Sequence, residues 1–226
     1  MSRLIRKWNL IAERNPNSPI SERYRMLRTN IEFSSIDHKF QIIMVTSSQP
    51  GEGKSITCAN MAVSFAQANK RVLVIDADLR KPVQHHIFAI SNHKGLTSAL
   101  LQRLEPQDVI QHTSTDNLSV IAAGPAPPNP SEVLSSEHMG ALLDKLRETY
   151  DVIIIDTPSI MSVTDAQIVA TQSDGVVLVI DSGKVKKEVA IKAKASLEHV
   201  QANLIGVVLN NINRKQSESY SYYIRS

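Results

Sequence analysis

The sequence predicts an α/β fold built on a mostly parallel β-sheet with helices on both faces. Strand-like and helix-like stretches alternate along the chain, the pattern of parallel strands joined by helical crossovers. Several strand-like runs are rich in Val and Ile and apolar at every position, as strands covered on both faces are. The longest apolar runs, such as Val176 to Ile180, are strand-length, far short of the about 20 apolar residues a membrane-spanning helix needs. Composition agrees with this reading. The 226 residues are 42% hydrophobic and 21% charged, enough for a core and ordinary for a globular chain. The net charge of +3 is too mild to point to nucleic acid. A lone cysteine, Cys58, closes no internal disulfide and fits a reducing compartment.

Residues 1–20 are basic, punctuated by Asn-Pro-Asn-Ser-Pro from Asn15 to Pro19, and read as an arm. Their basic start lacks the apolar stretch of a signal peptide. Residues 21–33 read as a helix, with Tyr24, Leu27 and Ile31 at helical spacing. Strands are expected at 41–46, 71–75, 118–122, 151–155, 175–180 and 204–210. Helices are expected at 54–68, 96–102, 130–149, 164–171 and 186–202. Gly-Pro-Ala-Pro-Pro-Asn-Pro at 124–130 is a stiff loop leading into a helix. The lysines at 184, 186, 187, 192 and 194 read as a solvated helix face. The division is an arm at 1–20, a domain at 21–212 and a polar, extensible tail at 213–226. Of five tyrosines, Tyr220, Tyr222 and Tyr223 fall in that tail, where packing does not explain them.

Residues 45–55 follow the first strand and open a helix, and they end in Gly51-Glu52-Gly53-Lys54-Ser55. This is the context of a Walker A phosphate loop. Gly51 and Gly53 let the backbone turn its N–H groups toward phosphates. Glu52 and Ile56 belong to the same stretch, and the helix N-terminus adds positive potential. Lys54 reaches the β/γ-phosphates and Ser55 offers a hydroxyl to Mg²⁺. Ser48 stands where the generic motif has its first Gly. Ile153-Ile154-Ile155-Asp156 is a buried strand ending in an acid, a Walker B position for Mg²⁺. The strand at 71–75 delivers Asp76 and Asp78 at i and i+2, on one side of an extended chain. Two carboxylates at a strand end suit Mg²⁺ binding and acceptance of a proton from a tyrosine hydroxyl, a poor nucleophile with a pKa near 10. Arg80 follows them. Asn210 ends the last strand, either near an adenine or as a turn residue.

These stretches, with the tyrosine-rich tail, resemble the bacterial tyrosine kinases of capsule and exopolysaccharide synthesis, whose fold is P-loop NTPase-like. That family's Walker A′ element matches Asp76, Asp78 and Arg80, and its Glu-x-x-Arg-x-x-Arg element matches Glu22, Arg25 and Arg28. The resemblance implies an ATP- and Mg²⁺-dependent tyrosine kinase, with Lys54, Asp76, Asp78 and Arg80 in catalysis and Asp76 favoured as the base. It implies a metal shell from Ser55, Asp76, Asp78 and Asp156. It also implies that subunits assemble as a ring through Glu22, Arg25 and Arg28, each offering Tyr220, Tyr222 and Tyr223 to a neighbour. A separate membrane activator of the polysaccharide chain-length regulator type would hold the cytoplasmic kinase at the inner face of the membrane. The resemblance implies that other proteins' tyrosines are further substrates. Two other readings stay open: an ATPase switch of the division-site and plasmid-partitioning kind, and a scaffolding ring that gates polysaccharide export. The first typically carries a signature lysine early in the loop, where this chain has Ser47-Ser48-Gln49-Pro50.

Overall fold

A computed structural model describes residues 10–34 and 40–212. Its core is one sheet whose strands, among the described residues, are β1 (Ile42–Ser47), β2 (Val72–Asp76), β3 (Ile110–His112), β4 (Leu118–Ile121), β5 (Val152–Asp156), β6 (Gly175–Asp181) and β7 (Leu204–Asn210). They lie in the order β3-β4-β2-β5-β1-β6-β7. All pairings are parallel except the edge pair β3–β4, which is antiparallel. The sheet is thus mostly parallel, as expected. The three-residue β3 went unread because it is too short to show alternation.

The central strands are apolar throughout because both faces are covered. Ile42 and Met44 of β1 face one cluster, with α5 (Leu96–Gln102), α6 (Pro130–Leu134), α7 (Glu137–Thr149), α8 (Asp165–Ala170) and α9 (Lys187–His199). Ile43 and Val45 face the other, with α1 (Ile11–Arg14), α2 (Pro19–Phe33), α3 (Lys54–Ala66) and α4 (Gln84–Ile87). Period-2 alternation sorts each strand's side chains between two helical layers. Cys58 lies wholly buried in the second cluster, and burial pushes its thiol well above the ordinary range.

Three differences from the sequence reading have local causes. The helix expected over 130–149 is two helices, because Ser136 adopts extended backbone as the N-cap of α7 and its hydroxyl bonds the Val133 carbonyl. Serine competes with the helix in this way. α2 begins at Pro19, since the Ser18 hydroxyl accepts from Ser21 N and Pro19 occupies the first turn, a favoured start. Residues 10–14, read within the arm, hold α1 with Leu10 as its N-cap and seat against α3. Leu10 and Ala12 are buried, Ala12 N donates to Asn60 Oδ1 at 2.9 Å, and Gln67 Nε2 donates to Ala12 O at 2.9 Å.

Candidate active site

β1, β2, β5 and β6 end together at one edge of the sheet, where ligands of open α/β folds sit. The loop after β1 turns there through Gly51 (φ 85°) and Gly53 (φ 90°), both left-handed, a conformation glycine adopts without a Cβ penalty. Gly53 is the N-cap of α3 and has no side-chain cap, so the first N–H groups of α3 are open to an anion. A Cβ on Gly53 would also strike the Asn210 carboxamide.

Glu52 braces this loop from within. Its carboxylate is buried and accepts from Ser48 Oγ (2.5 Å), from Gln49 N, and from Asp181 N (2.9 Å) at the end of β6. Ser48 thus gives the loop an internal hydrogen bond that a glycine there could not make. Asn210 Nδ2 donates to Glu52 O at 2.9 Å, tying β7 to the same loop. Its Oδ1 accepts from Asn211 N at 2.9 Å in the turn that follows β7, as a turn asparagine does, while its Nδ2 holds the loop.

The acids converge on Lys54. Its Nζ lies 3.1 Å from Ser55 Oγ, 3.1 Å from Asp78 Oδ2 and 3.4 Å from Asp156 Oδ1. Three oxygens from three segments thus face one ammonium, a donor set that suits a hard divalent cation. Burial alone would lower the Lys54 value, but Asp156 and Asp78 outweigh it and hold the ammonium above its ordinary range. Asp76 and Asp156 are register partners on adjacent strands, which brings two fully buried carboxyls together. Burial first, then the Asp156 charge, pushes the Asp76 carboxyl up to about 8.

β2 ends at Asp76, so Asp78 lies beyond the strand, and both carboxylates act on the Lys54 ammonium. Asp76 Oδ1 accepts from Asp78 N at 3.2 Å, and Oδ2 accepts from Val83 N at 3.0 Å and Gln84 N at 2.9 Å. Asp76 therefore anchors the segment behind the site, while Asp78 turns Oδ2 toward Lys54. Asp78, Lys54, Ser55 and Ile56 line a cavity of about 540 Å³ whose far wall includes Val83, Pro158 and Val163.

Arg80 also borders this cavity, but its guanidinium is held by Asp165, with Nε to Oδ2 at 2.8 Å and Nη2 to Oδ1 at 3.0 Å. Ser131, placed by the proline-rich loop at the start of α6, donates to the same carboxylate at 2.7 Å. Burial opposes the charge on Asp165, yet the Arg80 and Ser131 hydrogen bonds keep its carboxyl below the usual range. Arg80→Ala should leave this wholly buried carboxylate without its cation. Breaking buried pairs costs about 3–5 kcal/mol, but Arg80 is 40% exposed, so the expected loss is about 2 kcal/mol. A carboxyl lowered in the folded state stabilises above its unfolded value and loses that contribution as pH falls. The gap between wild type and variant in urea melts should therefore close as pH drops below about 4.

Glu22, Arg25 and Arg28 do not form one charged face. Arg25 pairs with Glu22, Nε to Oε2 at 2.7 Å. Arg28 turns inward and donates to Ser64 O of α3 at 2.9 Å, because six helical residues rotate it about 240° from Glu22. Met26 and Phe33 stand exposed on α2 at 53% and 77%. The Tyr24 hydroxyl bonds Thr57 and Tyr150 is buried. Tyr220, Tyr222 and Tyr223 lie outside the described residues.

The AAA domain profile matches residues 40–206. The chain is 48% identical over 215 residues to Tyrosine-protein kinase YwqD of Bacillus subtilis (strain 168), covering 95% of this chain and 91% of YwqD. It superposes on the crystal structure of the chimerical protein CapA2B2 with a TM-score of 0.88 and 44% identity, over 91% of this chain and 90% of that one. The cell division ATPase MinD of Pyrococcus furiosus, at 22% identity and a TM-score of 0.65 over 80% of this chain and 78% of that one, shares the fold.

Proposed function

The chain belongs to the bacterial tyrosine kinases, and we propose that it transfers the γ-phosphoryl group of ATP, with Mg²⁺, to Tyr220, Tyr222 and Tyr223 of a neighbouring copy. The observation that carries this reading is the convergence of Ser55 Oγ, Asp78 Oδ2 and Asp156 Oδ1 on one cation at the mouth of the phosphate loop. Those three residues would hold Mg²⁺, which when bound neutralises charge on the phosphates. Lys54 then swings from the acids to the β/γ-phosphates, and the open N–H groups of α3 hold the same oxygens. The phenolic proton goes to the acid pair: Asp78 borders the cavity where the hydroxyl would sit, and Asp76, wholly buried with both oxygens on backbone N–H groups, holds Asp78 and the Val83–Gln84 segment in place. Arg80, fixed by Asp165, shapes the rim where the acceptor enters. Asp165 shows no motif of its own in the sequence, and its part in the site is legible only from this ion pair.

Residues 21–212 act as the catalytic unit and 213–226 as the acceptor segment. Tethering in a ring raises the tail's effective concentration at a neighbour's site. Glu22 and Arg25, with the exposed Met26 and Phe33, supply the contact surface on α2, while Arg28 fixes α2 to α3. Each added phosphate carries about −1.5 to −2 charges, so Asp76, Asp78 and Asp156 repel a fully phosphorylated tail and the ring loosens. The partner is a membrane activator of the chain-length regulator type, which keeps the kinase at the inner face of the membrane. The setting is capsule or exopolysaccharide synthesis.

Mixing two variants tests transfer between copies. Lys54→Met lacks the phosphate lysine but keeps its tail; a Tyr220→Phe, Tyr222→Phe, Tyr223→Phe variant keeps the site but lacks acceptors. Phosphotyrosine should appear on the Lys54→Met chain only in the mixture, and should fall when Glu22, Arg25 and Arg28 are replaced by Ala. A mixture that stays unphosphorylated while wild type is active would contradict transfer between subunits.

A further inference from the structure

Gln84 is wholly buried at the start of α4, a short helix the sequence reading did not contain. Its backbone N–H caps Asp76 at 2.9 Å, a contact any residue but proline would make. Its side chain does something residue-specific. Nε2 donates to Asp156 Oδ2 at 2.8 Å and to Ser55 O at 3.1 Å. A carboxylate and a carbonyl both only accept, so the amide orientation is fixed by its neighbours. Gln84 Oε1 is buried without a hydrogen-bond partner among the described residues. A buried amide oxygen left unpaired is unfavourable, so filling space does not account for glutamine here.

We propose that Gln84 is a positioning residue for the cation site. Its carboxamide clamps Asp156 to the first turn of α3, in the one rotation that turns Oδ1 toward Ser55 Oγ and Asp78 Oδ2. Asp156 Oδ1 lies 3.4 Å from the Lys54 ammonium while Oδ2 is occupied by Gln84, so the two oxygens have separate tasks. Without the clamp, the Asp156 carboxylate rotates freely and presents either oxygen. Residues that orient a metal's ligands by hydrogen bonding commonly change affinity for the metal about 10- to 100-fold when lost.

This inference rests on the Mg²⁺ reading above, and the test separates the two. Gln84→Met keeps the length and volume but removes the donor. Binding of a fluorescent ATP analogue is followed against Mg²⁺ concentration, with thermal melting in parallel. In EDTA the variant should bind the analogue as wild type does. Its half-saturating Mg²⁺ should rise about 10- to 100-fold, and excess Mg²⁺ should restore wild-type affinity. If Gln84→Met fails to fold, Gln84→Asn keeps the amide but is one methylene too short to reach Asp156, and the same rise is expected. An unchanged Mg²⁺ requirement in a folded variant overturns the positioning role, as does equal loss of affinity with and without Mg²⁺. Wild type that binds the analogue equally in EDTA and Mg²⁺ overturns the cation reading, and Gln84's role with it.

Discussion

Lys54→Met should reduce ATP-dependent tyrosine phosphorylation by about 10²- to 10³-fold or more, the scale of one lost electrostatic stabiliser of the transition state. The structure adds a second effect. The Lys54 ammonium is the cation between Asp78 and Asp156, both buried. Its removal leaves carboxylates crowded together, at a cost of about 3 kcal/mol. The variant should therefore melt well below wild type in EDTA. Mg²⁺ without nucleotide should raise its melting temperature more than that of wild type, because the position the ammonium held becomes available. Scanning calorimetry with and without Mg²⁺ checks this. Equal melting of both proteins in EDTA would show that Lys54 does not neutralise the acids, and wild-type phosphate incorporation would remove its assignment to the phosphates.

Asp78→Asn and Asp76→Asn should both lower autophosphorylation strongly, by about 10²-fold or more, but in different ways. Asp78 turns Oδ2 to the cation position, so its loss should raise the Mg²⁺ requirement. Asp76 holds three backbone N–H groups and lies behind the site. Its loss should lower kcat at saturating Mg²⁺ and leave the Mg²⁺ half-saturation near that of wild type. Nucleotide affinity should change less than activity in both. Steady-state rates across a Mg²⁺ series distinguish the two variants. Full activity in both would refute the reading of the acid pair.

The phosphate loop, Asp156, Asp76 and Asp78 were legible because strand, glycine-rich turn and helix follow one another in 45–55, and because apolar runs at 72–75 and 152–155 lead into Asp. The sheet was legible for a similar reason: strands covered on both faces leave continuous apolar runs. What escaped depends on contacts distant in sequence. Gln84 meets Asp156 and Arg80 meets Asp165, 72 and 85 residues away, and no local pattern announces either pair. Asp78 lies beyond the end of β2, so the i, i+2 rule of an extended strand does not by itself place it; the Lys54 ion pair does. The charged α2 face failed because i+6 is not a helical repeat. Residues 10–14 pack through Leu10 and Ala12, too few apolar positions to show a period.

Intact mass after incubation with Mg-ATP and an activating cytoplasmic segment, followed by peptide mapping, tests the kinase reading most directly. The expected result is stepwise gain of phosphate, confined to the peptide holding Tyr220, Tyr222 and Tyr223. Tyr24, bonded to Thr57, and Tyr150, buried, should stay unmodified. ATP hydrolysis with no added mass would mark a nucleotide switch, and phosphate on Tyr24 or Tyr150 would contradict the tail as acceptor.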